Sequence, residues 1–205
     1  MILAQLSFES GPSISLLAIL VSAALTDNIL LTRFLGMCPF LAVSREMKSA
    51  LGLGIAVTFV TTFTAAINAA LYTHVLEPLG LHVGLKLILF IVVIAAFVQL
   101  MEMLIERISL GLYYALGIFL PLITVNCAIL GTSLFMINKN YTVVQGLVFG
   151  FGSGLGWTLA IVLMAGIRDR LKRAQIPPAL EGPGISLIIT GIMALAFVGF
   201  SGMIQ

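Results

Sequence analysis

Residues 143–166 read VVQGLVFGFGSGLGWTLAIVLMAG, a run with no charged side chain and with glycine at every second position from 150 to 156. A helix of about 20 apolar residues crosses a bilayer core, and small residues along it let a neighbouring backbone come close. The glycines are not a nucleotide-binding fingerprint, which needs a preceding strand and a soluble βαβ unit. Outward from this run, five more apolar stretches fall at roughly 14–34, 50–72, 85–105, 112–136 and 184–204. The chain of 205 residues is 60% hydrophobic and 9% charged, against about 25% charged in a soluble domain. Backbone polar groups find no water inside lipid, so long apolar runs without alternation predict helices. The expected fold is an all-α polytopic membrane protein of six transmembrane helices, one domain over residues 1–205 with only short loops.

The start of the chain lacks the positive charge of a signal peptide, since no Lys or Arg precedes Arg33, and it is read as retained. Lys and Arg accumulate on cytoplasmic loops. One side holds Arg45, Lys48, Arg107, Arg168, Arg170, Lys172 and Arg173; the other holds Lys86 and Lys139. This bias predicts both termini outside, and a basic cytoplasmic loop over 167–183 that either docks a partner or only enforces topology.

The halves resemble each other at an offset of 100 residues. Gly52, Gly54 and Thr58 match Gly152, Gly154 and Thr158, and Ala96, Phe97, Val98 and Met103 match Ala196, Phe197, Val198 and Met203. Repeats of about 14–105 and 112–204 hold three spans each, so they must run in opposite directions. Inverted repeats are common in transporters, with the site at their interface. The first span of each half carries a break signal: Leu35-Gly36-Met37-Cys38-Pro39-Phe40, and Leu116-Gly117-Ile118-Phe119-Leu120-Pro121. Proline and glycine interrupt helices. One helix from Ile14 to Val43 would be about 45 Å long against a core of about 30 Å, so interrupted or re-entrant helices are expected.

Cys38 and Cys127, the two cysteines, each lie beside a break. A free cysteine commonly packs as a small hydrophobe. Thiolates also ligate iron or zinc, and an all-cysteine iron–sulfur cluster needs four; any such cluster would be shared with another chain. Intramembrane acids are costly and usually functional. Asp27 with Asn28 lies inside the first stretch, six residues from Arg33, about 240° around a continuous helix, so Asp27 and Arg33 are not expected to pair. Gln99 and Glu102 share a helix face and suit a cation path; Glu102 could equally reach the interface. Asn126 is placed to hydrogen-bond at the second break. Glu106 and Arg107 read as interfacial, and His74 and His82 as solvated.

Thr26-Asp27-Asn28 through Leu35-Gly36-Met37-Cys38-Pro39-Phe40-Leu41-Ala42-Val43-Ser44 resembles the first cysteine motif of one family. Leu112-Tyr113 through Leu116 to Pro121 and on to Val125-Asn126-Cys127-Ala128 resembles its second. Phe97-Val98-Gln99 to Glu102-Met103, Gly166-Ile167-Arg168 and Phe200-Ser201-Gly202 match as well. The family is the paired small membrane subunits of the Na+-translocating NADH:quinone oxidoreductase, together with the A-type subunit of the related Rnf ferredoxin:NAD oxidoreductase. Val125 and Gly152-Ser153-Gly154-Leu155-Gly156-Trp157 look most like the E-type member of the pair.

The resemblance implies a bacterial inner-membrane subunit without nucleic-acid contacts. A homologous D-type subunit in the opposite orientation would share a [2Fe–2S] centre, with Cys38 and Cys127 as this chain's two ligands. NADH, flavin and quinone sites would lie on other subunits of the complex, and electron transfer would be coupled to Na+ passage. Glu102 matches a family acid of the sodium path, and Asp27 is a second candidate. The competing classes are a redox-free inverted-repeat transporter, with the cysteines as packing residues, and a passive assembly subunit.

Overall fold

The computed structural model describes residues 15–76, 85–108, 120–173 and 182–201, and among them every regular element is a helix. In chain order these are α1 (Leu16–Val21), extended by a π-helical turn Ser22–Thr26; α2 (Met37–Val43); α3 (Met47–Leu71), extended by Tyr72–Leu76; α4 (Leu85–Ile108); α5 (Leu120–Thr124); α6 (Cys127–Asn138); α7 (Val143–Leu171); and α8 (Pro183–Ser201). Met47–Leu76, Lys86–Met103 and Val143–Leu171 are long and apolar enough to cross a membrane. Shorter apolar helices, Leu16–Thr26, Leu122–Asn138 and Pro183–Gly199, overlap the other three expected stretches, so the described residues supply three full-length spans of the six expected.

The stretch expected at 14–34 is not one helix. It stops at Asp27 and resumes at Met37. Gly36 precedes α2 with φ +80°, a left-handed conformation that suits glycine. Pro39 breaks nothing, because it sits in the first turn of α2, where its missing N–H has no helical partner to lose. In the second half the interruption falls at Val125-Asn126, between α5 and α6, beyond the expected Gly117–Pro121 signal; Gly117 itself lies outside the described residues. Asparagine produces this break by capping, its side-chain oxygen accepting the Ala128 N–H at 3.0 Å.

The main seam joins α3 and α7, which run antiparallel. A Cβ on Gly154 would fall 2.6 Å from the Thr58 Cα, and one on Gly54 would fall 2.5 Å from the Thr158 methyl. The Thr58 and Thr158 hydroxyl oxygens lie 2.8 Å apart, and both also reach the Gly54 carbonyl. Residues related by the sequence offset of 100 therefore meet each other, and the contact is reciprocal. Gly150, next along the seam, faces the Thr61 carbonyl and Ala65. Behind the seam lie the fully buried Trp157, Phe40, Leu53 and Ile161. On the outer face, Leu51, Ile55, Phe59, Phe63 and Ile67 of α3 recur every four residues and are exposed, as are Leu147, Phe151, Leu155, Leu159 and Leu163 of α7. A helix apolar on both its buried and its exposed face belongs in lipid.

Gly154→Ala is expected to lower the unfolding temperature of the detergent-solubilised protein, because its new methyl meets backbone. Gly52→Ala, with nothing within 4 Å of its Cβ position, should be neutral or stabilising by up to about 1 kcal/mol through helix propensity.

Candidate metal centre and ion path

The first break is wound around Asn28, which is fully buried. Its Oδ1 accepts the Leu30 and Leu31 N–H groups at 3.1 and 3.3 Å, and its Nδ2 donates to the Ala24 and Gly156 carbonyls at 3.1 and 2.8 Å. The Thr32 hydroxyl bonds the Asn28 carbonyl at 2.6 Å. One side chain thus takes the place of the missing helical turn. Position 156 must be small for this, since a Cβ there would lie 2.6 Å from the Ala24 carbonyl oxygen and 3.0 Å from Asn28 Nδ2.

The two breaks meet at Gly36. Its N–H donates to Cys127 Sγ at 2.9 Å, and its carbonyl accepts from the Trp157 indole at 3.4 Å. A Cβ on Gly36 would lie 2.6 Å from Trp157 Nε1 and 2.9 Å from Asn126 Oδ1. Asn126 is buried, and its Nδ2 has no hydrogen-bond partner among the described residues. Cys38 and Cys127 sit in the first turns of α2 and α6. Such helix ends carry the partial positive charge that suits an anionic ligand set. Both cysteines are free and exposed.

These thiols fit a metal centre shared between chains. They face outward, one already accepts a backbone N–H, and no group of three or more His, Cys, Asp or Glu gathers around a common point among the described residues. The chain itself offers two outward-facing thiols.

Arg168, counted above as a loop cation, belongs to α7. It donates to the Leu41 carbonyl at 3.0 Å and to the Ser186 hydroxyl at 2.5 Å, satisfying an orphan carbonyl at the C-terminal end of α2 and tying that end to α7 and α8. Arg168 and Trp157 both fall in family-matched stretches, but nothing in helical periodicity signals that they hold the two ends of α2.

Asp27 does pair with Arg33, at 3.5 Å, and more closely with Lys139, at 3.0 Å. The 240° argument fails because the chain is not helical between them. Arg33 lies over the Phe135 ring and Lys139 near those of Phe149 and Tyr141, so these cations lock the first break to α6 and to the turn after it. Lys139 is accordingly no simple loop-tip charge. Burial, and then the Asp27 carboxylate, raise the Tyr141 phenol above its ordinary 10.0. Gln99 is exposed and Glu102 half-buried on α4, and among the described residues no hydrogen bond or ion pair joins either to the cysteines. His74 is exposed and contacts Thr73 and the Ala70 carbonyl; His82 lies outside the described residues.

The interrupted apolar helices bring two thiol-bearing helix starts together, at the Gly36 N–H to Cys127 Sγ contact. The family model described as Rnf-Nqr subunit, membrane protein, matches residues 16–204, and the chain belongs to that family. It is 50% identical over 189 residues to the A-type subunit of the Na(+)-translocating ferredoxin:NAD(+) oxidoreductase complex of Acetobacterium woodii, covering 92% of this chain and 98% of that protein. It is 48% identical over 196 residues to the E-type subunit of the Na(+)-translocating NADH-quinone reductase of Hahella chejuensis, with 91% and 97% covered. The same-named protein of Serratia proteamaculans is 50% identical over 192 residues.

Asn28→Ala should cost about 2–4 kcal/mol, since buried hydrogen bonds are lost and backbone donors orphaned; chemical unfolding in mixed micelles would measure it. A raised phenol pKa means that the folded state holds the proton more tightly, so stability falls as pH rises above 10.0. Asp27→Asn should move the Tyr141 titration back down, read as the ultraviolet difference against Tyr141→Phe in each background.

Proposed function

We propose that this chain is the E-type membrane subunit of a Na+-translocating NADH:quinone reductase. In this reading it has six transmembrane helices in two inverted repeats and both termini on the periplasmic side of a bacterial inner membrane. Cys38 and Cys127 supply two ligands of an iron–sulfur centre completed by a homologous D-type subunit. The observation that carries it is the Gly36 N–H to Cys127 Sγ bond, which brings the cysteine-bearing breaks of both halves to one place. The reciprocal Thr58–Thr158 contact supports the repeat, because residues 100 apart can meet this way across a local two-fold. Arg45 and Lys48 share one crevice with Arg170 and Lys172, which supports placing those loops on a common side.

A bound iron–sulfur centre supplies one-electron transfer, and each electron adds negative charge to a low-dielectric region, which favours a nearby cation. The chain's own residues hold the geometry. Asn28 and Asn126 keep the breaks open without orphaning most of their backbone, Trp157 and Arg168 fix the two ends of α2, and Glu102 offers a half-buried carboxylate to Na+. Asp27, engaged by two cations, serves the ion path only when that pairing opens. NADH, flavins and quinone are bound by the other subunits. The A-type subunit of an Rnf complex is the second reading, supported by 50% identity to the Acetobacterium woodii protein across 98% of its length, a level the Serratia proteamaculans E-type subunit equals; the electron donor oxidised by the co-purified complex separates the two.

In the purified complex, Cys38→Ala and Cys127→Ala should each abolish the same iron–sulfur EPR signal and lower the iron content, with the other subunits still associated. An unchanged spectrum and iron count in both would return the cysteines to packing and make a redox-free transporter the better reading.

A further inference from the structure

A basic crevice of about 550 Å³ opens where the N-terminus of α3 meets the C-terminal end of α7. Arg45, Lys48, Arg170 and Lys172 line it, with Glu46 and Asp169. The acids are partly engaged already: Glu46 accepts from the Ser49 hydroxyl at 3.3 Å, and Asp169 lies 3.9 Å from Lys172. Arg45, Lys48 and Arg170 have no ion-pair partner among the described residues. The last carbonyl and N–H groups of spanning helices emerge at headgroup depth, so these cations stand where a bilayer carries its phosphates.

A second, apolar groove of about 390 Å³ follows the same α3–α7 pair into the span, lined by Ile55, Phe59, Phe63, Phe151 and Leu155, with Thr58 and Thr158 at its floor. The two cavities lie on one face. Lys48 and Ile55 are seven residues apart on α3, as are Ala165 and Thr158 on α7, and a seven-residue step returns to the same side of a helix. Ile55 lies about 10 Å and Phe63 about 22 Å along α3 from Lys48, while one leaflet of hydrocarbon is about 15 Å deep. The groove thus begins within one acyl chain's reach of the crevice.

We infer that the α3–α7 face is a binding site for one anionic phospholipid, its phosphate held by Arg45, Lys48 and Arg170 and an acyl chain laid along the Ile55–Leu155 groove. Charge and shape select this occupant together. A water-soluble acidic partner would satisfy the crevice but has nothing to place in an apolar groove at membrane depth. A zwitterionic lipid would fill the groove but brings its own cation to a crevice already in excess of positive charge. The inference needs only that the chain spans a bilayer, and it stands or falls apart from the redox reading.

The test is native mass spectrometry of the purified complex titrated with phosphatidylglycerol, and separately with phosphatidylcholine of the same acyl chains. The complex should retain phosphatidylglycerol in preference. Combined Arg45→Gln, Lys48→Gln and Arg170→Gln should weaken it on the order of 100-fold, since each surface cation contributes about a factor of five. Leu155→Trp, which fills the groove, should weaken retention of the lipid while leaving the affinity for inorganic phosphate unchanged. Subunit composition checks assembly of each variant, and Arg170→Gln alone, at an exposed position, provides the measurement if the triple variant does not assemble. Equal retention of the two lipids, or phosphatidylglycerol retention untouched by the charge variants, overturns the inference. Competition by inorganic phosphate with no effect of Leu155→Trp reduces the site to a phosphate site and overturns it too. Cross-linking from Lys48→Cys to another subunit in the lipid-saturated complex would give this face to a protein partner instead.

Discussion

A helix interrupted inside a membrane leaves N–H and C=O groups where no water can take them, and each unsatisfied group costs several kcal/mol. Everything around the cysteines in this protein answers that constraint. Asn28 bonds two amides of the unwound segment while donating to carbonyls on its own helix and on α7. Asn126 performs the corresponding task for the start of α6. Asn28 needs a neighbour that approaches within hydrogen-bond distance, and the glycines of α7 make that approach possible, whereas the Asn126 bond is local to the start of its own helix. Gly152 and Gly156 admit α1 and the segment after it, Gly150 and Gly154 admit α3, and a methyl at any of the four would meet atoms of the neighbouring element within 3.0 Å.

The metal-ligating candidates inherit their positions from this framework. Cys127 opens α6, whose start is capped by Asn126, and Cys38 lies in the first turn of α2, which begins at the left-handed Gly36, so each thiol is carried by a short helix rather than by a long span. α2 is anchored at one end by Gly36 against Trp157 and Cys127 and at the other by Arg168. A ligand held by such an element keeps its direction because both ends of the element are tied. The exposure of the two thiols is the complement of this arrangement: the chain presents them at its surface rather than enclosing them.

The charged residues at depth follow the same logic. Asp27 would be costly as a lone carboxylate in lipid. Here it is neutralised by Lys139 and Arg33, and those cations lie close to the faces of aromatic rings. The cluster joins the break of the first half to the end of α6 in the second, so it contributes to holding the halves together as well as to balancing charge. Glu102, half-buried on α4 and without an ion-pair partner among the described residues, stands in contrast as a carboxylate left available.

Composition and the lengths of the apolar runs were enough to establish a polytopic helical membrane protein, because hydrocarbon permits little else. The offset match of Gly54 and Thr58 with Gly154 and Thr158 suggested a repeat, and the structure adds that these four residues meet at the α3–α7 seam. The cysteine motifs announced the family, since spacing around two broken helices is written in local sequence. The pairing of Asp27 with Lys139 and Arg33 and the anchoring of α2 by Arg168 and Trp157 were decided only by tertiary structure. Each joins residues about 90 or more positions apart, or depends on a backbone that has left the helix, and helical periodicity carries no information about where a side chain points once the helix has stopped. The conjunction of a basic crevice with an apolar groove likewise appeared only when α3 and α7 came together, for neither helix holds either cavity alone.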